Sequence, residues 1–134
     1  MSTYCGAFRT NYFHVTDEAE LRRIVGSLVS SYGVELIDDR APYFAFGGDG
    51  SLEGVEDEEG FGSYDTMIAQ LQAIVPEDEA IIIMSSGHEK LRYVVGEVTV
   101  ITKNDCIMTD LKRFGIKTAR ELLKDPHWNS RCEC

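Results

Sequence analysis

Ala80-Ile81-Ile82-Ile83-Met84 and, a few residues later, Leu91-Arg92-Tyr93-Val94-Val95-Gly96-Glu97-Val98-Thr99-Val100-Ile101-Thr102 decide the class of fold. The first stretch is continuously apolar and too short for a helix, so it reads as a strand covered on both faces. The second alternates, with Leu91, Tyr93 and Val95 set against Arg92 and Val94, the period of a strand. Ser85 to Lys90 between them predicts a turn. Gly96 marks a bulge or a close backbone approach.

Upstream the period changes. Ser63 is a helix cap for Met67, Ile68, Leu71, Ile74 and Val75, and Pro76 ends that run. Asp17 with Glu20 makes a capping pair before Leu21, Ile24, Val25, Leu28 and Val29, one apolar helix face that stops before Gly33. A third helix is expected within Lys112 to Lys124, with Ala119, Leu122 and Leu123 on one face and Asp125-Pro126 closing it. These periodicities place helices at roughly 17–31, 63–75 and 113–124. The expected core includes Leu21, Ile24, Leu28, Ile68, Leu71, Ile82, Val94 and Leu122.

The segments between are extended or looped. Tyr4 to Val15 is rich in aromatic and β-branched residues and reads as strand. Val34 to Asp38 and Tyr43 to Gly47 suit a hairpin across Asp39-Arg40-Ala41-Pro42. Residues 47–62, with Gly47-Gly48-Asp49-Gly50-Ser51 and Glu56-Asp57-Glu58-Glu59-Gly60, predict a mobile acidic loop. The expected order is β-α-β-β-α-β-β-α. This gives a single α+β domain over 1–134, with helices packed on one mixed or mainly antiparallel sheet. An unpaired edge at Thr99, Val100 and Ile101 would allow a homodimer.

The 134 residues include 13 basic and 23 acidic side chains, a net charge of −10. Residues 1–62 contribute −8 and residues 103–134 contribute +2. So acidic a chain, without a Lys/Arg stripe, is not expected to bind nucleic acid directly. No run reaches the length of a membrane span, and the N-terminus lacks a secretory pattern, so a cytoplasmic protein is expected. Reduced thiols are expected at Cys5, Cys106, Cys132 and Cys134 in that compartment.

Motifs for catalysis or cofactors are missed rather than met. His88-Glu89 departs from H-E-x-x-H because Arg92 stands at the second histidine's position. Cys132-x-Cys134 with His127 is spaced too tightly for a structural zinc knuckle. Gly48-Asp49-Gly50 departs from the dinucleotide and Walker patterns, and carboxylates around it would repel phosphate. No nucleophile elbow occurs. No catalytic residue, metal or cofactor is therefore expected, and a small enzyme or regulatory dimer with an unrecognised ligand site is the alternative. The positive expectation is an acidic face made by Asp38, Asp39, Asp49, Glu53, Glu56, Asp57, Glu58 and Glu59. Its carboxylates would stand in for phosphates on the basic surface of a protein partner.

Three stretches carry a resemblance. They are Tyr4-Cys5-Gly6-x-Phe8-Arg9-Thr10-Asn11-Tyr12-Phe13-x-Val15, Glu89-Lys90-Leu91-Arg92-Tyr93-Val94-Val95-Gly96 and Arg131-Cys132-Glu133. The chain resembles a group of small acidic accessory proteins of bacterial mobile elements found near antirestriction genes. That resemblance implies a setting in which mobile DNA counters host defence, as antirestriction and anti-CRISPR proteins do. It carries over no catalytic residue.

Overall fold

The computed structural model describes residues 5–89 and 93–130. Its strands are β1 (Cys5–Thr10), β2 (Leu28–Ser30), β3 (Glu35–Arg40), β4 (Tyr43–Asp49), β5 (Leu52–Glu56), β6 (Gly62–Ser63), β7 (Ile81–Glu89), β8 (Tyr93–Ile101) and β9 (Cys106–Asp110). Its helices are α1 (Glu18–Gly26), α2 (Tyr64–Ile74) and α3 (Leu111–Leu123). Six strands form one antiparallel sheet in the order β3-β4-β1-β7-β8-β9, and β2-β5-β6 form a small second sheet. The fold is α+β, with more strands than the expected order contained.

The large sheet has two unlike faces. Alternation along the strands sends Phe8, Thr10, Phe44, Phe46, Ile81, Ile83, Thr99 and Ile101 to one face, and all are buried. There they meet Leu21, Ile24 and Val25 of α1 and Met67, Ile68, Leu71 and Ile74 of α2 in a single core. Phe13 and Phe46 pack edge to face with centroids 6.2 Å apart. The buried Thr10 hydroxyl donates to the Asn11 carbonyl and accepts from the Phe46 amide, so burial leaves it satisfied.

Several expectations are corrected. Helix α1 ends at Gly26, because Ser27 turns its amide and hydroxyl back on the last carbonyls. Leu28 and Val29, which continue the apolar period, instead pair with β5 as strand. Of residues 47–62, 47–49 complete β4, 52–56 form β5 and Gly62 begins β6, so turns at 50–51 and 57–61 stand in place of one long loop. Strand β7 runs on to Glu89, through the stretch expected to turn, and puts His88 and Glu89 in a strand; Lys90, Leu91 and Arg92 lie outside the described residues. It is also covered on one face only, since Ile82 is half-buried and Met84 exposed. Thr99 to Ile101 is no edge, because β8 is paired to β7 along its length and to β9 from Glu97 to Ile101. Val94 and Leu122, expected in the core, are exposed, and Leu28 is half-buried.

Glycines decide two contacts. At Gly54, with φ +113°, a Cβ would stand 2.3 Å from the Ser63 carbonyl carbon, so only glycine lets β5 lie this close to β6. At Gly96 the close approach is by a side chain: Leu111, the first residue of α3, fills the space over it.

Candidate functional site

Strand β5 and the turn into β6 carry most of the expected acidic face. The turn is built by Asp57, whose Oδ1 accepts from the amides of Glu59 and Phe61, both at 2.9 Å. The Glu56 amide donates to the Ser27 carbonyl and ties the ribbon to the end of α1. Asp49 lies three residues before β5, where its carbonyl accepts from the Ser30 hydroxyl. Asp49, Glu53, Glu56, Asp57, Glu58 and Glu59 are all exposed, and among the described residues none has a cation within ion-pair distance. Like charges strung along one ribbon make a sustained negative potential.

Asp38 and Asp39 belong elsewhere. They lie toward the Arg40 end of the β3–β4 hairpin, while Asp49 ends β4 some six residue steps away, about 20 Å at the rise of a strand. Arg22 Nη2 lies 3.3 Å from Asp38 and 3.0 Å from Glu18, which raises the Arg22 pKa through both hydrogen bonds, Glu18's first. Asp39 accepts from the Tyr12 hydroxyl at 3.1 Å, and the Arg40 and Arg9 guanidiniums lie 4.8 and 5.5 Å from the Tyr12 ring centre. Here charge is matched by charge. Of the eight residues, five follow one another along β5 and the turn after it, Asp49 stands at the start of that ribbon, and two are set apart in a neutralised corner.

The remaining chemistry-bearing side chains are spread out. A hollow of about 440 Å³ on the core side holds Tyr64, whose hydroxyl lies 2.7 Å from Thr99 Oγ1. Burial raises the Tyr64 pKa against the pull of that hydrogen bond, so the hydroxyl keeps its proton. Glu97 and Asp110 stand opposite each other across β8 and β9, but Asp110 is engaged as the cap of α3, accepting from the Arg113 amide at 2.7 Å. The Cys106 thiol is pushed up by burial and then by Asp65, which keeps it protonated and a poor nucleophile. Cys5 and His88 are register partners on β1 and β7, only two potential ligands. No group of three or more metal-binding side chains occurs among the described residues, and Cys132 and Cys134 lie outside them.

His14 makes a close polar contact away from the acidic ribbon. Its Nδ1 lies 2.6 Å from Glu79 Oε2, and since a carboxylate only accepts, Nδ1 carries the proton. The same carboxylate takes the amides of His14 and Ala80 at 3.2 and 3.0 Å. Burial would raise the Glu79 pKa, but these hydrogen bonds outweigh it and hold the carboxyl below its ordinary value. The contact joins the loop before α1 to the loop after α2 and serves the fold.

The helix expected within Lys112 to Lys124 is present as α3, but sequence reading placed Leu122 in the core and missed the helix's exposed apolar side. No residue of α3 is buried, and Leu111, Phe114, Leu122 and Leu123 are 65%, 64%, 79% and 57% exposed. The signal is in the sequence, where Leu111, Phe114 and Leu122 recur at helical spacing among Lys112, Arg113, Lys117 and Arg120. Trp128 is half-buried behind it, and its carbonyl accepts from Arg120 Nε at 2.7 Å. No helix among the described residues is long and apolar enough to cross a membrane. The chain matches no protein-family model, no curated protein and no solved structure.

Proposed function

We propose that the protein is a non-catalytic binding module that engages a basic surface on another protein through the acidic ribbon Asp49, Glu53, Glu56, Asp57, Glu58 and Glu59. The observation that carries this reading is the contrast in charge pairing. Acidic residues at Glu18, Glu20, Asp38 and Asp110 lie beside arginines, whereas the ribbon's carboxylates face water without a cation partner among the described residues. Unpaired like charge costs the folded chain self-repulsion, and a cationic partner would relieve it. Together with the resemblance to accessory proteins of mobile elements, this favours a basic nucleic-acid channel of a host defence nuclease as the partner surface, in the manner of an antirestriction or anti-CRISPR protein.

The test is capture from a bacterial lysate on the immobilised chain, followed by titration of the captured protein with duplex DNA or RNA. A chain carrying Glu53→Lys, Glu56→Lys, Glu58→Lys and Glu59→Lys serves as the comparison. Each exposed contact is worth about 0.2–1 kcal/mol, so the four reversals weaken capture cumulatively, mainly through a slower on-rate. Raising salt from 0.1 to 1 M acts in the same direction, because the Debye length falls from about 10 to about 3 Å. Competitive displacement by nucleic acid supports the reading. Capture that ignores both salt and charge reversal defeats it.

A further inference from the structure

We propose that the uncovered face of the six-stranded sheet is the seat for α3 of a second copy of this chain, so that two chains exchange their C-terminal helices. Helices α1 and α2 both pack on the opposite face, where the core lies. The residues that alternate away from that core include Ile82, Met84, Val98, Val100 and Ile107, which the register sets side by side across β7, β8 and β9. Met84 is 48% and Ile107 68% exposed. An apolar sheet face of this kind normally carries a layer of helices.

The chain also carries a helix with an exposed apolar side to match. Its root lies on this same face, where Leu111 sits in the space over Gly96, while Phe114 and Leu122 farther along remain in water. At a rise of 1.5 Å per residue, the 13 residues of α3 span about 20 Å. The nine residues of β7 and of β8 run about 30 Å, and the four strands β1, β7, β8 and β9 lie about 14 Å across, room for one helix of about 10 Å diameter.

Net charge favours the approach of another copy, while the seat itself is apolar. Helix α3 has four basic residues and one acidic residue, a balance of +3 within a chain of −10, which leaves −13 on the remainder. A basic amphipathic helix is thus drawn to the acidic body of another copy, and burial of its apolar side then holds it there. Donor and acceptor surfaces lie on one chain, so two copies can exchange helices reciprocally, the arrangement that closes as a dimer instead of extending as a filament.

Sedimentation of the full chain tests this, with two variants checked by far-UV circular dichroism for intact folding. Wild type is expected at twice the 15.0 kDa chain mass. A helix variant, Phe114→Glu with Leu122→Glu, and a face variant, Met84→Lys with Ile107→Lys, are each expected at the mass of one chain. Mixing the two variants restores a dimer, because the intact helix of one still meets the intact face of the other. Wild type at one chain mass at every soluble concentration overturns the proposal, as does a dimer that survives both pairs of substitutions or a mixture that stays monomeric. Anionic phosphatidylglycerol vesicles provide the remaining arm. Vesicle binding by a monomeric wild type that the helix variant loses would assign α3 to a lipid surface instead.

Discussion

The two faces of the large sheet are made from the same strands and end in opposite states. One is closed by α1 and α2, which bury three and four residues respectively; the other is open, beside a helix that buries none. All three helices are amphipathic by spacing. What differs is what the chain brings to them: α1 and α2 are each followed by a further strand, while α3 follows β9 and no strand follows it among the described residues. Amphipathicity therefore records that a face will be covered, without recording by which molecule.

That contrast breaks or holds first in the core. Phe46→Ala is expected to cost about 3–5 kcal/mol in urea denaturation, since Phe46 is wholly buried and its ring meets Phe13. Leu122→Ala, measured at a concentration where the chain is monomeric, is expected to stay within about 0.5 kcal/mol of wild type. A comparable loss at both positions would mean that α3 is part of the same cooperative core.

The glycine pair sharpens the comparison at a smaller scale. Gly54→Ala places a methyl group against Ser63 backbone atoms and asks alanine to hold a φ of +113°, so it is expected to destabilise by more than about 1 kcal/mol. At Gly96 the obstacle is the Leu111 side chain, which is mostly exposed and free to swing aside. Gly96→Ala is expected to cost less than about 0.5 kcal/mol. Equal losses in thermal or urea melts would show that the root of α3 is as rigid as the β5–β6 contact.

These differences explain what was legible in the sequence. The caps at Asp17 and Ser63 and the spacing of Leu21, Ile24, Met67, Ile68 and Leu71 are local signals, and they mark helices that local pairing supports. Leu28 and Val29 fit the same period yet become strand, because β5 offers them a partner that no local pattern announces. Likewise glycines and carboxylates at 47–62 look like loop, but Gly54 is what permits β5 to pair and Asp57 is what closes its turn. Val94 and Leu122 are apolar at core-like positions and stay exposed, since the fold within one chain supplies nothing to cover them. For the acidic face, the composition identified the carboxylates, but only the arrangement of arginines and of Tyr12 separates Asp38 and Asp39 from the rest.

A comparably small effect, and one that pH controls, concerns the polar tie that keeps the closed side closed. His14 and Glu79 join the loops leading into α1 and out of α2. Glu79 has a carboxyl pKa below its ordinary value in the folded chain, so the charged form is favoured by folding. Its contribution is therefore present above the unfolded value, about 4.3, and is lost as pH falls through the lower folded value. His14 is 35% exposed and solvent screens the pair, which limits the contribution to about 0.2–1 kcal/mol. Urea midpoints of wild type and Glu79→Gln, followed from pH 7 down through the carboxylate range, measure it. Wild type should lead at neutral pH and the two curves should converge at the acid end, whereas exposed Glu77→Gln should track wild type throughout. A constant gap between wild type and Glu79→Gln at every pH would assign the loss to packing rather than to the charge of the carboxylate.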